Sequence, residues 1–187
     1  MLTRSGHEAL TLRSVAREAS VTAPAIYRHF EDRDALVGQL VIGIWEELAA
    51  VMAAADEREE SAGPLAQLQA QLAAYIDFAS ANPTRYELLF AMSPDPEMVQ
   101  SLPDHSATSS VYRILELAVT RCKNSGYTLP LPFQAEPTDP NTVLLFVVAH
   151  GRIALAKASQ HEDFSTREAS HEFVRDVVRS LVRPPAS

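Results

Sequence analysis

Residues 11–36 read TLRSVAREASVTAPAIYRHFEDRDAL. Thr11 stands at an N-cap position, its hydroxyl able to accept from a free backbone N–H, and Leu12, Val15, Ala16 and Ala19 follow at helical spacing as a narrow apolar stripe. Ser20, Val21 and Thr22 interrupt that stripe. Val21 is expected to plug the gap between two helices, and Thr22 to cap the second. Pro24 falls in the first turn of that second helix, where a missing N–H costs little. Ile26 and Phe30, four apart, face the core, which leaves Ala23, Pro24, Ala25, Tyr27, Arg28 and His29 to point elsewhere. Small residues at a helix start let it approach base edges, with Thr22 and Ala25 as the base-reading positions. A phenol, a guanidinium and an imidazole suit phosphate oxygens. Thr11, Arg13, Arg17 and Arg33 flank the unit, and the whole predicts a helix-turn-helix that offers a short helix to double-stranded DNA.

The run AIYRHFEDRDAL at 25–36, with TLRSVAREASVT at 11–22 before it, resembles the DNA-binding segment of TetR-family transcriptional regulators. The resemblance covers about 26 residues; beyond them only the helical layout is similar. Ser20 departs from the pattern, which usually has Gly in that turn, so a Ser with positive φ and modest strain is expected there. The resemblance implies an all-α fold: a helix-turn-helix head over residues 1–44 and a helical ligand-binding and dimerisation body over residues 45–187. It also implies that Gly6 stands where the first helix of the head has just ended. Only Met1 to Ser5 are then left for that helix, and one turn is too little to cover Val15, Ile26 and Phe30. Truncation, an ordered region beginning here and a misplaced start remain open alternatives.

Charge is divided unevenly along the chain. The net charge is −8, yet residues 1–44 hold Arg4, Arg13, Arg17, Arg28 and Arg33 against Glu8, Glu18, Glu31, Asp32 and Asp34, so the acidic excess belongs wholly to the body. A neutral head gives weak non-specific attraction to DNA, and binding must depend on specific contacts and dimerisation. A hydrophobic share of 47% with six Gly reads as helix-rich and globular. No unbroken apolar run approaches the ~20 residues of a membrane span, no secretory signal is evident, and the single cysteine, Cys122, suits a reducing cytoplasm.

Past Phe30 the periodicity predicts helix after helix. Asp32 caps a segment to about Glu60 with Leu36, Leu40, Ile44, Leu48 and Met52 on one stripe; Ser61 to Pro64 break it. Leu65 to Ala79 form the next helix, ended by Asn82-Pro83, and a short one runs from Thr84 to Met92 before Pro94 and Pro96. Another begins at Ser106 or Ser109 and stops near Ser125-Gly126. Tyr127 to Pro140 reads as a loop, and two long helices, Asn141 to about Gln160 and Ser165 to about Val182, close the chain.

The last pair is the expected dimer seam. Gly mid-helix costs ~1 kcal/mol against Ala unless close packing offsets it, and Gly151 lies among Ala149, Ala154 and Ala158. His150, Gly151, Ala154, Ala158, Phe173, Val174, Val177 and Leu181 are the candidate interface; packing of Gly151 within its own subunit is the alternative. An effector pocket is expected among Trp45, Tyr75, Phe78, Tyr86, Phe90, Tyr112 and Phe146, with Met92 and Met98 as softer candidates. A buried phenol needs a partner, which favours the tyrosines. His150 either reaches that pocket or makes an interhelical hydrogen bond.

Enzyme classes find no support. The chain has no G-x-S-x-G elbow, no Gly-rich phosphate loop and no Cys pair for zinc. His161, Glu162, Asp163, Glu168 and His171 read as a solvated helix face more readily than as a metal cluster. No cofactor or metal is expected. The sequence thus predicts a homodimeric, cytoplasmic repressor that binds a pseudo-palindromic operator and releases it when a small, mainly apolar effector enters the body. The alternative is a small-molecule-binding dimer whose incomplete head does not read DNA.

Overall fold

The computed structural model describes residues 11–91, 106–132, 138–158 and 166–185. Among them the chain forms eight α-helices: α1 (Leu12–Glu18), α2 (Ala23–Tyr27), α3 (Arg33–Arg58), α4 (Pro64–Ala81), α5 (Pro83–Ala91), α6 (Ser106–Asn124), α7 (Pro140–Ala158) and α8 (Arg167–Leu181). A single isolated bridge, Thr128 with Arg183, is the only β pairing among the described residues. The expected short first helix falls on residues 1–10 and the expected stop at Pro94 and Pro96 on 92–105, both outside the described residues, as is the stretch 159–165 between α7 and α8.

Local chemistry sets the boundaries. Thr11 accepts from Ser14 N at 3.1 Å while Ser14 Oγ accepts from Thr11 N at 3.0 Å, a reciprocal cap at the start of α1. Asp32 caps α3 through Ala35 N at 2.8 Å, and Thr166 caps α8 through Ala169 N at 3.1 Å. Thr22 occupies the N-cap position of α2, but its side chain makes no capping hydrogen bond. Pro64, Pro83 and Pro140 each begin a helix, where the N–H they lack has no intrahelical partner to lose. Pro140, expected in the loop, therefore belongs to α7.

Two helices end in the same Schellman geometry with different residues at its crux. After α6, Tyr127 N donates to Cys122 O at 3.0 Å and Gly126 N to Lys123 O at 2.9 Å, with Gly126 at φ +86°. After α1, Val21 N donates to Ala16 O at 2.9 Å and Ser20 N to Arg17 O at 3.2 Å, and Ser20 sits at φ +56°. The motif needs a left-handed residue at this position, where a Cβ is penalised. The expected strain at Ser20 is therefore present, and the hydrogen bonds of the turn maintain it. Val21 is not the expected plug: it is 47% exposed, because its part in the turn is played by its backbone N–H.

A continuous buried cluster runs from Leu12, Ala16 and Ile26 through Leu36 and Val37 into Ile44, Trp45, Leu48 and Met52. Helix α3 packs on α4 and α6, and α4 packs in turn on α6, α7 and α8. The expected α3 stripe is interrupted at Leu40, which is exposed between the buried pair Leu36–Val37 and the buried positions from Ile44 onward. By length and apolar content alone α3 and α7 would suit a membrane span. Here each buries one face in the bundle, α7 through Leu145, Phe146 and Ala149, which is how a core helix uses such a composition.

Polar groups pin the helices in register. On α3 Asp56 receives Gln71 Nε2 at 2.6 Å and Gln67 Nε2 at 3.3 Å from α4, and pairs with Arg121 of α6. Asp77 of α4 accepts from Arg167 at 2.5 and 2.7 Å and from His171 Nε2 at 2.6 Å, both on α8. Burial works to raise the Asp77 carboxyl, but the hydrogen bonds from Arg167 and His171 outweigh it and hold the group below the ordinary carboxylate range. His171 thus ties α8 to α4, in place of the expected solvated face. Replacing Ser20 by Gly should stabilise the protein by about 1 kcal/mol by relieving the left-handed strain. The denaturant midpoint should rise with an unchanged slope; a fall would mean that the serine hydroxyl carries a compensating interaction.

Candidate functional site

The short α2 presents a polar face at one end of the molecule. Tyr27 is 51% exposed, unusually open for an aromatic, and Arg28, His29, Thr22 and Pro24 are exposed beside it. Ala23 and Ala25 are half-buried, and Ile26 is buried and anchors the helix. Arg13 and Arg17 are exposed on α1. Thr11 is also exposed, but its hydroxyl oxygen already serves the cap of α1. Arg33 is half-buried, with its guanidinium 3.2 Å from Asp34. The hydroxyl of Thr22 makes no cap and stays available at the helix start.

In the body, a half-open cavity of about 600 Å³ lies between the C-terminal part of α4, α5, the second half of α7 and the start of α8. Tyr86, Phe90, His150, Ile153 and Ala156 form much of its apolar wall, with the Glu87–Lys157 ion pair (2.5 Å) also lining it. Of the seven aromatics expected at a pocket, Tyr86 and Phe90 line this one. Trp45, Tyr75 and Phe78 are buried away from it. Trp45 meets the edge of Phe90 at 5.8 Å, and Phe78 lies under the Arg85 guanidinium at 5.7 Å. Tyr112 lies tilted against Phe146 at 4.7 Å, and Phe146 lies against Tyr75 at 5.5 Å, so this pair backs the wall instead of forming it. Met92 and Met98 lie outside the described residues. Ser80, Pro83, Ile153, Thr166 and Ser170 line the cavity and stand outside the expected set, since small and hydroxyl residues carry no periodic signal that separates a wall from a surface.

A chain of three side chains runs from the core to the wall. Tyr75 Oη lies 2.7 Å from Tyr86 Oη, which lies 2.6 Å from His150 Nδ1. His150 therefore does both things expected of it as alternatives: it lines the cavity and bonds across helices. Burial pushes the phenols of Tyr75 and Tyr86 well above the ordinary tyrosine range and holds the His150 imidazole below the ordinary histidine range. All three groups are uncharged at neutral pH.

The expected seam residues divide. Val147 and Leu155, 56% and 62% exposed, flank Gly151 at four-residue spacing, and Val143 continues the row. Among the described residues a Cβ at Gly151 would meet nothing within 4 Å, so no close packing among them accounts for the glycine. Ala154, Ala158 and Phe173 are exposed, Val177 and Leu181 half-buried, and Ala154 also touches the cavity. Val174 is the exception. At 3% exposure it belongs to the core of its own chain, because α8 turns that face toward α4.

Residues 68–181 match the family model of the tetracyclin repressor-like C-terminal domain, and residues 1–40 match that of bacterial regulatory proteins of the tetR family. The chain belongs to the TetR family. Solved structures agree with the fold. A protein of unknown function from Rhodococcus sp. RHA1 is 25% identical with a TM-score of 0.75, over 97% of this chain and 90% of that one. A bacterial regulatory protein in the tetR family from Rhodococcus RHA1 is 15% identical with a TM-score of 0.72, over 100% and 92%. The TetR family transcriptional regulator PfmR from Thermus thermophilus is 14% identical with a TM-score of 0.61, over 94% and 92%. No curated protein matches the chain.

For this TetR-family member, a DNA-binding transcriptional regulator, the phenol–phenol–imidazole chain gives a direct energetic test. Tyr86→Phe removes the only acceptor that the buried Tyr75 hydroxyl has among the described residues and should cost about 1–3 kcal/mol. Adding Tyr75→Phe should recover part of that loss, because no stranded donor is left. Urea unfolding of the two single variants and the double variant measures it; additive losses would show that the hydroxyls are not coupled.

Proposed function

We propose that this protein is a homodimeric repressor that leaves a pseudo-palindromic operator when a small, mainly apolar effector occupies the body cavity. The observation that carries the reading is the contact of Phe90, in the cavity wall, with Trp45 on α3. Helix α3 begins at the Asp32 cap, two residues beyond Phe30 of the head, and runs unbroken past residue 44 into the body. The Arg85–Glu47 ion pair fastens α5 to α3 beside the same contact. An effector that displaces α5 therefore moves α3, and a shift of α3 alters the spacing of two heads that must match half-sites about one helical turn apart or more. In this reading residues 1–44 are the reading head and residues 45–187 the effector and dimerisation body.

Tyr27, Arg28 and His29 are assigned to phosphates, and Thr22 and Ala25 to base edges. The exposed row Val143, Val147, Gly151 and Leu155, with Phe173 beside it, is the kind of contiguous apolar surface that marks an interface. A second copy is its assigned occupant. The reading needs no cofactor, assigns no catalysis and places the protein in the cytoplasm; the single Cys122 thiol, which burial pushes up to about 11, suits a reducing compartment.

Gel-shift titration of the DNA upstream of the chain's own gene, with and without candidate apolar effectors, tests the whole reading. Absence of any shifted complex would favour the helical dimer that does not read DNA. Arg28→Ala should weaken binding to all sequences and reduce the slope of log affinity against log salt by about one, whereas Tyr27→Ala should weaken it with little change of slope. A changed base preference at constant affinity would contradict both roles. Gly151→Arg should leave helix content intact, because no described residue lies within 4 Å of a Cβ there, yet yield monomers in sedimentation by placing an uncompensated charge in the seam. A persistent dimer would place the interface elsewhere.

A further inference from the structure

We infer that the effector is an uncharged, largely apolar molecule bearing a carbonyl oxygen, and that this oxygen accepts the Nε2–H of His150. The inference rests on the cavity being the effector site and goes further by assigning the group that recognises the ligand.

Hydrogen-bond direction decides which atom is free. Tyr75 is 1% exposed, and among the described residues Tyr86 Oη is the only partner of its hydroxyl. A buried O–H without an acceptor is strongly disfavoured, so Tyr75 donates to Tyr86. The single proton of Tyr86 must then go to His150 Nδ1. A nitrogen that accepts carries no proton, and the neutral ring therefore holds its hydrogen on Nε2. The reverse order would have Nδ1–H donating to Tyr86 and Tyr86 to Tyr75, leaving the Tyr75 hydrogen among aromatic rings such as Phe146. Protonation of His150 requires the same reversal, in keeping with the downward pull of burial on this imidazole.

The rest of the wall offers little else to a polar ligand atom. Glu87 and Lys157 neutralise each other at 2.5 Å. Ser170 Oγ donates to Thr166 O at 3.1 Å, and Thr166 Oγ1 accepts the cap hydrogen bond from Ala169 N. Ser80 is exposed to solvent. His150 Nε2 has no partner among the described residues and sits in a wall whose other members are largely apolar, with the Phe90 ring at 4.2 Å. Ser80, Thr166 and the Glu87–Lys157 pair belong to solvent-exposed residues, so the Nε2–H of the half-buried His150 is the unpaired donor set among apolar side chains, and a site of no net charge there selects a neutral acceptor over an ion.

The test uses the full-length protein and three probes of one shape: 2-acetylnaphthalene, 2-ethylnaphthalene and 2-naphthoate, measured by equilibrium dialysis. The ketone is expected to bind wild type about fivefold more tightly than the hydrocarbon, and the carboxylate more weakly than the ketone. His150→Phe should abolish the ketone preference while retaining the hydrocarbon. Equal binding of ketone and hydrocarbon to wild type, or a preference that survives His150→Phe, overturns the inference but leaves the cavity reading intact; tightest binding of the carboxylate overturns the uncharged assignment. Failure of all three probes to bind wild type sinks the cavity reading, and this inference with it. Independently of any ligand, ¹⁵N NMR of histidine-labelled protein should show His150 protonated on Nε2 alone, and Tyr75→Phe should relax that tautomer preference. An Nδ1–H tautomer in wild type would overturn the assignment of the recognising atom.

Discussion

Helix α3 is the constraint on which the rest of the molecule depends, because one element carries a single buried cluster from the head into the body. Its 26 residues span about 39 Å at the rise of an α-helix. Leu36 and Val37 are buried near its start, and Ile44, Trp45, Leu48 and Met52 are buried further along. Its buried residues on both sides of Leu40 tie the packing near its start to the packing of the bundle. The exposed Leu40 between the two buried stretches is where the rod passes from one packing environment to the other.

Around that rod, polar side chains choose the register that apolar packing leaves loose. Asp56 gathers Gln67, Gln71 and Arg121 from two neighbouring helices, Glu47 holds Arg85, and Asp77 gathers Arg167 and His171. Apolar burial is non-directional and tolerates sliding, whereas these contacts are met in one alignment only. The Tyr75–Tyr86–His150 chain is the most demanding of them. It runs through the core to the cavity wall, so the core and the cavity share one set of hydrogen bonds.

Much of the secondary structure is readable from the sequence because its causes are local. The caps at Thr11 and Asp32, the break at Gly63-Pro64, the stop at Gly126 and the left-handed Ser20 all arise from residues within about six positions of one another. The corrections share a different character. Pro140 reads as loop because a proline both ends and begins helices, and Val21 reads as a plug because its apolar side chain conceals a backbone role. His171 reads as solvated because its partner, Asp77, lies 94 positions away.

The sequence by itself determined the all-α class, the head with its exposed Tyr27, Arg28 and His29, and the order and approximate limits of the body helices, since capping, turn geometry and 3.6-residue periodicity act over short distances along the chain. Only the tertiary structure decided that Tyr86 and Phe90 line the cavity while Trp45, Tyr75 and Phe78 stand behind it, that Val174 turns inward while Phe173 stays exposed, and that His150 completes a chain begun at Tyr75. Periodicity fixes the direction of a side chain about its own helix axis. What that side chain meets depends on which other helix is packed there, and that is settled only when the whole bundle closes.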